Sequence, residues 1–574
     1  MKHAFFHRAA CAALLFAAGA SAACGTGQTP PEPRSDAALF DRFDYAGHDA
    51  LYEAQPLADA ASFHNPILPG WYSDPSVCTN GEGDYFLATS TFVYFPGVPL
   101  FHSRDLVNWT QVGHILDRES QLVNLPGQHV SGGIFAPALA YNPHNRTYYM
   151  ITTNVGAGNF FVKTQDPFGA WSDPIFLPGV RGIDPSFFFD DDGRAYIVNN
   201  DDAPGDKPEY PGHRTIRIRE FDVENDCTMG EEIILVNKGV HPEEKPIWIE
   251  GPHLYKINGS YYLMSAEGGT SDWHSEVIFR GESPWGPFTP WGANPILTQR
   301  HLDPQRSDPV TCAGHADLIQ AAEGDWWAVF LACRPVEGNF ENLGRETFLM
   351  PVRWSDDGFP YITAGDERVP MTGRREGVER AARVTFGNFA WTDDFAADRL
   401  GLEWVTLRRV ATEHWSLSET PGWLLLRCST ESTAQKGVPA FVGRRLQHHA
   451  FTASTRMRFE AADEANRAGL LLFKNETHQY FLAVGRADGA KRIALWRIGD
   501  GGEECLAEAP LAGEAVEFTL EASSEDGRTF AFRYAAGADE PTLLCDGVDA
   551  RYLSTAEAGG FTGTVVGLYA VRTE

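Results

Sequence analysis

Between residues 60 and 370 the apolar positions come in short runs of β-branched and aromatic residues. Gly, Pro, Asp and Asn interrupt them every few positions, and no long stretch repeats at helical spacing. The pattern predicts an all-β domain. Within it one unit recurs five times: a polar turn, an aromatic residue, then a string of apolar residues. The copies are GDYFLATS at Tyr85, RTYYMITT at Tyr148, GRAYIVNN at Tyr196, GSYYLMSA at Tyr261 and GDWWAVFL at Trp326, separated by 63, 48, 65 and 65 residues. Five β units at this period predict a five-bladed β-propeller whose units are four-stranded blades. From Phe389 the pattern changes. Alternating runs at Trp423–Cys428, Phe451–Phe459, Leu470–Asn475, Tyr480–Arg486, Arg492–Ile498, Val516–Leu520, Thr529–Tyr534 and Thr564–Val571 predict an antiparallel, jelly-roll-like β-sandwich. The expected organisation is a signal peptide at 1–23, a tether and lead-in at 24–59, the propeller at 60–380 and the sandwich at 389–574.

The repeat locates candidate chemistry. Eleven or twelve residues before each marker aromatic stand Asp74, Ala136, Asp184, Glu250 and His315, each at the head of a short strand. If the marker run is the second strand of a blade, the head belongs to the innermost strand. Five innermost strands converge on one axis, so these positions should ring one end of the central channel. Other Asp-Pro pairs fall out of phase. Asp308-Pro309 lies 18 residues before Trp326, and Asp173-Pro174 and Asp303-Pro304 fail in the same way. Asp-Pro is by itself a common turn starter.

Charge narrows the substrate. The chain of 574 residues carries a net charge of −30 with 12% aromatics. A polyanion of that size repels nucleic-acid backbones and anionic lipid, whereas an uncharged sugar meets no such barrier. Lys2 and Arg8 precede the apolar stretch Ala9–Ala20, and small residues lead to Cys24, which is the order of a secretory signal. Ser21-Ala22-Ala23-Cys24 resembles a bacterial lipobox, so lipid attachment at Cys24 and plain cleavage near Ala22 are both open. Either predicts an exported protein, secreted, periplasmic or lipid-anchored, followed by a Pro/Gly/Thr tether. Beyond Cys24 seven cysteines are scattered without CxxC spacing, which argues against a disulfide framework or a zinc cluster and for mostly buried thiols.

Two carboxyl groups flanking a glycosidic bond suffice for its hydrolysis, one protonating the leaving oxygen and the other activating water or attacking the sugar. The acid must hold its proton near neutral pH, which calls for burial or a neighbouring negative charge. Glu250, after Trp248 and Ile249, has the most apolar context and is the candidate acid. Asp74, after Ser73 and near the mouth of the first blade, is the candidate base, kept ionised by solvent. Asp184 is left to raise the Glu250 pKa and position it.

The blocks NPILPGWYSDPSV, STFVYFPGVPLFHSRDLVNW, GGIFAPAL, RGIDPSFFFDDDGRAY, IEGPHLYKINGSYYLMSAEGGT, GHADL and LGRETFL resemble glycoside hydrolase family 43, in its β-xylosidase/α-L-arabinofuranosidase branch. The resemblance covers residues 60–574. It implies a five-bladed propeller of inverting glycosidases with a C-terminal β-sandwich. The expected activity is release of β-1,4-xylose from xylo-oligosaccharide ends, or of α-L-arabinofuranose from side chains. A non-catalytic sugar-binding surface protein is the rival from another class. The resemblance assigns base, pKa modulator and acid to Asp74, Asp184 and Glu250, and sugar-hydroxyl contacts to Arg345. Phe92 and Phe135 would wall the innermost subsite, with Phe135 standing where relatives often carry Trp. Thr270 would be a polar contact near the acid, and Phe561 of the sandwich would close the pocket. His315 matches an axial histidine that contacts the pocket or, through water, a structural calcium in the channel. No cofactor is expected for the chemistry.

Overall fold

The computed structural model of the chain describes residues 30–511 and 514–573; the expected signal peptide and Cys24 lie outside the described residues. Five antiparallel sheets follow one another in chain order. Their innermost strands are Ser76–Thr79, Ile134–Asn142, Ile183–Phe189, Glu250–Ile257 and Thr311–Gln320. The second strands are Tyr85–Ala88, Thr147–Asn154, Ala195–Asp202, Ser260–Glu267 and Trp326–Cys333, so every marker aromatic falls at the start of the strand expected to hold it. Each innermost strand packs against its neighbours and the fifth packs against the first, which closes the ring into a five-bladed propeller.

The fifth blade departs from the four-stranded expectation. Its sheet has three strands, the last being Arg345–Pro351. The chain entering the propeller covers that edge: Leu68 and Thr347 exchange backbone hydrogen bonds of 3.3 and 3.2 Å. The Asn65 side chain also accepts from Leu349 N at 2.9 Å and donates to its carbonyl at 3.0 Å. The segment entering the propeller thus ties down the last blade and covers part of its edge.

The C-terminal region is a two-sheet sandwich. One sheet runs, edge to edge, through Trp415–Ser416, Leu424–Arg427, Ala37–Gly47, Phe451–Arg458, Glu517–Ser524, Thr529–Ala536 and Thr542–Asp549. The other runs through Phe441–Arg445, Val565–Arg572, Asn466–Asn475, His478–Ala487, Ala490–Gly499 and Gly502–Pro510. Their facing side chains form one apolar core that includes Phe40, Phe43, Tyr45, Trp404, Leu470 and Leu568.

This corrects the expected domain boundaries. Residues 37–47, assigned to a lead-in, are an interior strand of the sandwich paired to Phe451–Arg458. Phe43 and Tyr45 are buried in its core while Arg42 and Asp44 face outward, the alternation of a strand with one wet face. The chain therefore starts in one domain, makes the other, and returns. The cysteine expectation is corrected as well. All seven described thiols are free, but only Cys78, Cys312 and Cys333 are buried, and Cys227 and Cys505 are exposed.

Candidate active site

At the head of each innermost strand the backbone turns through the left-handed region: φ is 54° at Asp74, 28° at Ala136, 52° at Asp184, 55° at Gly251 and 51° at His315. Just beyond, the ladder to the second strand slips between Phe135 and Ala138, Ile183 and Ser186, Glu250 and His253, and Gly314 and Asp317. Such slips re-aim side chains, and non-glycine residues in this region carry strain of the kind found at functional sites. The ring position in the fourth blade is thus Gly251, one residue past the expected Glu250. A Cβ on Gly251 would stand 2.9 Å from His315 Cε1, so a side chain does not fit there. Glu250 precedes it and, by strand alternation, lines the pocket above the ring.

That pocket has a volume of about 440 Å³ and collects all nine candidate residues: Asp74, Asp184, Glu250, His315, Arg345, Thr270, Phe92, Phe135 and Phe561. The out-of-phase Asp173 is on the surface, where it pairs with Arg118 at 3.0 Å.

The three carboxyls sit in different electrostatic states. Asp74 is buried rather than kept ionised by solvent, which corrects the expectation. Burial alone would raise its pKa, but the Arg345 guanidinium at 3.2 Å, His315 and the hydroxyls of Ser90 and Ser73 outweigh it and hold the carboxyl below its ordinary value. Glu250 is driven well above the ordinary value, first by burial and then by the negative charges of Asp184 and Asp74. Asp184 is raised to about 7 by burial and by Asp74, although Gly251 N donates to it at 3.2 Å. Like charges this close titrate as a group. The set offers one ionised carboxylate and one proton-bearing carboxyl facing the same cavity, the two states that acid–base cleavage of a neutral acetal requires.

The remaining walls bind and close. Arg345 donates to Thr270 Oγ1 at 2.7 Å, while its buried Nε has no partner among the described residues. Phe135 and Phe561 meet edge to face at 5.7 Å, and Phe92 stacks on Phe561 at 6.2 Å. The Arg345 guanidinium lies 5.1 Å from the Phe561 ring centre. Phe561 reaches the propeller because Gly563 lets the sandwich loop run against Leu343 and Gly344; a Cβ on Gly344 would meet Gly563 N at 2.6 Å. Phe561 N also donates to Ser131 Oγ at 2.9 Å.

Sequence reasoning missed several contributors. Ser90 donates to Asp74 Oδ2 and to nothing else at that atom, while its Oγ accepts from Ala136 N at 2.7 Å. Its only sequence signal is its place as the last residue of the first marker run, GDYFLATS. Ile247 and Trp248 form the outer lip, and the Arg214 guanidinium stands 4.9 Å from the Trp248 ring.

The channel below the ring offers few oxygens to a calcium ion. Calcium takes six to eight oxygen ligands. His315 offers a nitrogen, and its pKa is pushed down to about 4, chiefly by burial. Asp317, a carboxylate beside the channel, already accepts from Ser76 Oγ at 2.7 Å, Val77 N at 2.9 Å and the Tyr255 hydroxyl at 2.7 Å. These side chains do not form a cage of direct ligands, so a calcium ion at His315 would be held through water. His315 instead faces Asp74 and packs over Gly251.

Known proteins match both domains of the chain. A family model described as glycosyl hydrolases family 43 matches residues 63–360, and one described as the β-xylosidase C-terminal concanavalin A-like domain matches 392–574. A xylosidase/arabinosidase of Butyrivibrio fibrisolvens is 38% identical over 88% of this chain and 95% of its own length. A non-reducing end α-L-arabinofuranosidase of Bacteroides ovatus is 36% identical over 91% of this chain and 93% of its own length. The crystal structure of a family 43, subfamily 12 protein retrieved from a capybara gut metagenome superposes with a TM-score of 0.87 at 40% identity, covering 94% of this chain and 100% of that one.

Proposed function

The chain belongs to glycosyl hydrolase family 43, and on that premise we propose that it is an inverting, exo-acting glycosidase releasing single pentose units, first of all β-1,4-linked xylose from xylo-oligosaccharide ends. The division of charge among its carboxyls carries the reading. Asp74, ionised by Arg345, takes a proton from a water whose oxygen attacks the anomeric carbon. Glu250, protonated through burial and its acidic neighbours, gives its proton to the departing oxygen as the C–O bond breaks. Asp184 touches neither atom; it sets the Glu250 pKa and is a positioning residue. The Arg345 guanidinium lines the pocket and is the donor for sugar hydroxyls, a use suited to its planar fork. Phe561 with Phe92 and Phe135 blocks the inner end of the pocket, so a terminal unit fits and an internal one does not. No step uses an ion at His315.

Hydrolysis of terminal α-L-arabinofuranose is the second reading, favoured by the names of the two relatives above. Steady-state turnover of an aryl β-xyloside and an aryl α-L-arabinofuranoside separates them. Both are expected to react, the xyloside with the larger kcat/KM. A larger value for the arabinofuranoside reverses the order, and no turnover of either leaves only the non-catalytic sugar-binding reading.

We also propose that the enzyme is exported, on the order Lys2, Arg8, Ala9–Ala20, Cys24. Intact mass of the mature chain is expected to begin after Ala22 or at a lipid-modified Cys24. A mature chain that retains residues 1–22 contradicts export by this signal.

A further inference from the structure

Next to Arg345, but outside the lining of the pocket, three potential ligand atoms meet in the protein interior. Cys312, Cys333 and Glu341 each present one, all within 4.8 Å of one another, and all three residues are buried. They come from three segments of the fifth blade: its innermost strand, the end of its second strand, and the loop leading to Arg345. Cys333 is the direct cross-strand partner of both Thr311 and Arg345. Between Thr311 and Gly314 the ladder slips, and Cys312 takes a left-handed φ of 56°. That bulge is what turns its thiol toward Cys333 and Glu341, since a bulge re-aims the side chain it carries.

The cluster is held together by thiol contacts alone: both Cys312 and Cys333 lie against the Glu341 carboxyl. The Glu341 carboxyl accepts from the Cys312 thiol at 3.2 Å, and S–H is a weak donor for a buried acid. Burial raises the Glu341 pKa despite that contact and the nearby Lys474 ammonium. Lys474 comes from the sandwich, is buried, and donates to Thr555 Oγ1 at 3.0 Å. It supplies compensating positive charge on one side, as Arg345 does on the other.

We propose that Cys312, Cys333 and Glu341 form a binding site for a thiophilic divalent cation of the zinc type. Two thiolates and one carboxylate are a donor set that suits zinc or cadmium and not calcium or magnesium. Binding replaces the two thiol protons and the carboxyl proton, which leave to solvent; no electron is transferred. Three anionic ligands and a divalent cation leave one negative charge, which the Lys474 ammonium offsets. The bound ion cross-links the first two strands of the fifth blade to the loop that leads into Arg345–Pro351 and so steadies the segment that carries Arg345. The site lies apart from the channel at His315 and takes no part in bond cleavage.

The test uses the whole chain produced in cells supplied with zinc or cadmium, so that the ion is present while the buried site forms. After desalting under reducing conditions, about one cation per chain is expected by elemental analysis. The cadmium form is expected to show a thiolate-to-metal charge-transfer band in the ultraviolet. Cys312→Ser with Cys333→Ser abolishes both signals, and the near-isosteric Glu341→Gln releases the ion on dialysis. Each variant is checked for an unchanged circular dichroism spectrum. Cys505→Ser, at an exposed thiol, retains the ion and the band. A chain that retains no cation overturns the proposal, as does equal retention by the double cysteine variant. A Cys312–Cys333 disulfide in the purified, unreduced chain overturns it too.

Discussion

Glu250→Gln is expected to slow hydrolysis of xylo-oligosaccharides by roughly 10²–10⁴-fold, the usual contribution of a general acid. An aryl xyloside with a strongly acidic phenol should be nearly spared, because that leaving group departs without a proton. The pH profile separates this from structural damage. Glu250 must be protonated, and its pKa is raised by burial and by Asp184 and Asp74, so wild-type activity falls as pH rises through that raised value. Asp74 must be ionised, and its pKa is lowered, so activity falls as pH drops through that lowered value. The result is a bell with a wide top. The glutamine variant keeps the acid limb and loses the alkaline one. Equal losses on both substrates with the alkaline limb intact mean that Glu250 is structural.

Asp74→Asn is expected to cost a similar factor, roughly 10²–10⁴-fold, but on both kinds of substrate, because water must be activated whichever group departs. Azide, a nucleophile that needs no base, should restore turnover with the activated xyloside and yield a glycosyl azide of inverted configuration. The Arg345 contact adds a second readout. Asp74 is buried, so its charge depends on the guanidinium at 3.2 Å rather than on water. Arg345→Gln should therefore move the acid limb to higher pH as well as weaken binding. Azide rescue of Glu250→Gln but not of Asp74→Asn would exchange the two roles.

The propeller was legible because each blade repeats a polar turn followed by an aromatic, and that repeat fixes which strand is which. The phase of the strand heads then brought Asp74, Asp184 and His315 to one ring. It could not place Glu250 to the residue. The ring position of the fourth blade is a glycine because the His315 imidazole occupies the space a Cβ would need, and that crowding is long-range. The burial of Asp74 was hidden for the same reason: its neighbours Ser90, Ala136 and Arg345 come from other strands. Residues 37–47 carried their own signal, the alternation of Phe43 and Tyr45 with Arg42 and Asp44. Their partner strand begins at Phe451, across the whole propeller, so nothing local showed which sheet they join. The thiol cluster carries no local spacing signal, because Cys312 and Cys333 lie across a hairpin and Glu341 reaches them from the following loop.

The central claim is that Asp74 delivers water to the face of the sugar opposite the bond that Glu250 protonates. Proton NMR of the first-formed xylose during hydrolysis of a β-xyloside tests it most directly. The account predicts that the α-anomer appears first and mutarotation brings in the β-anomer afterwards. Initial formation of the β-anomer would contradict it.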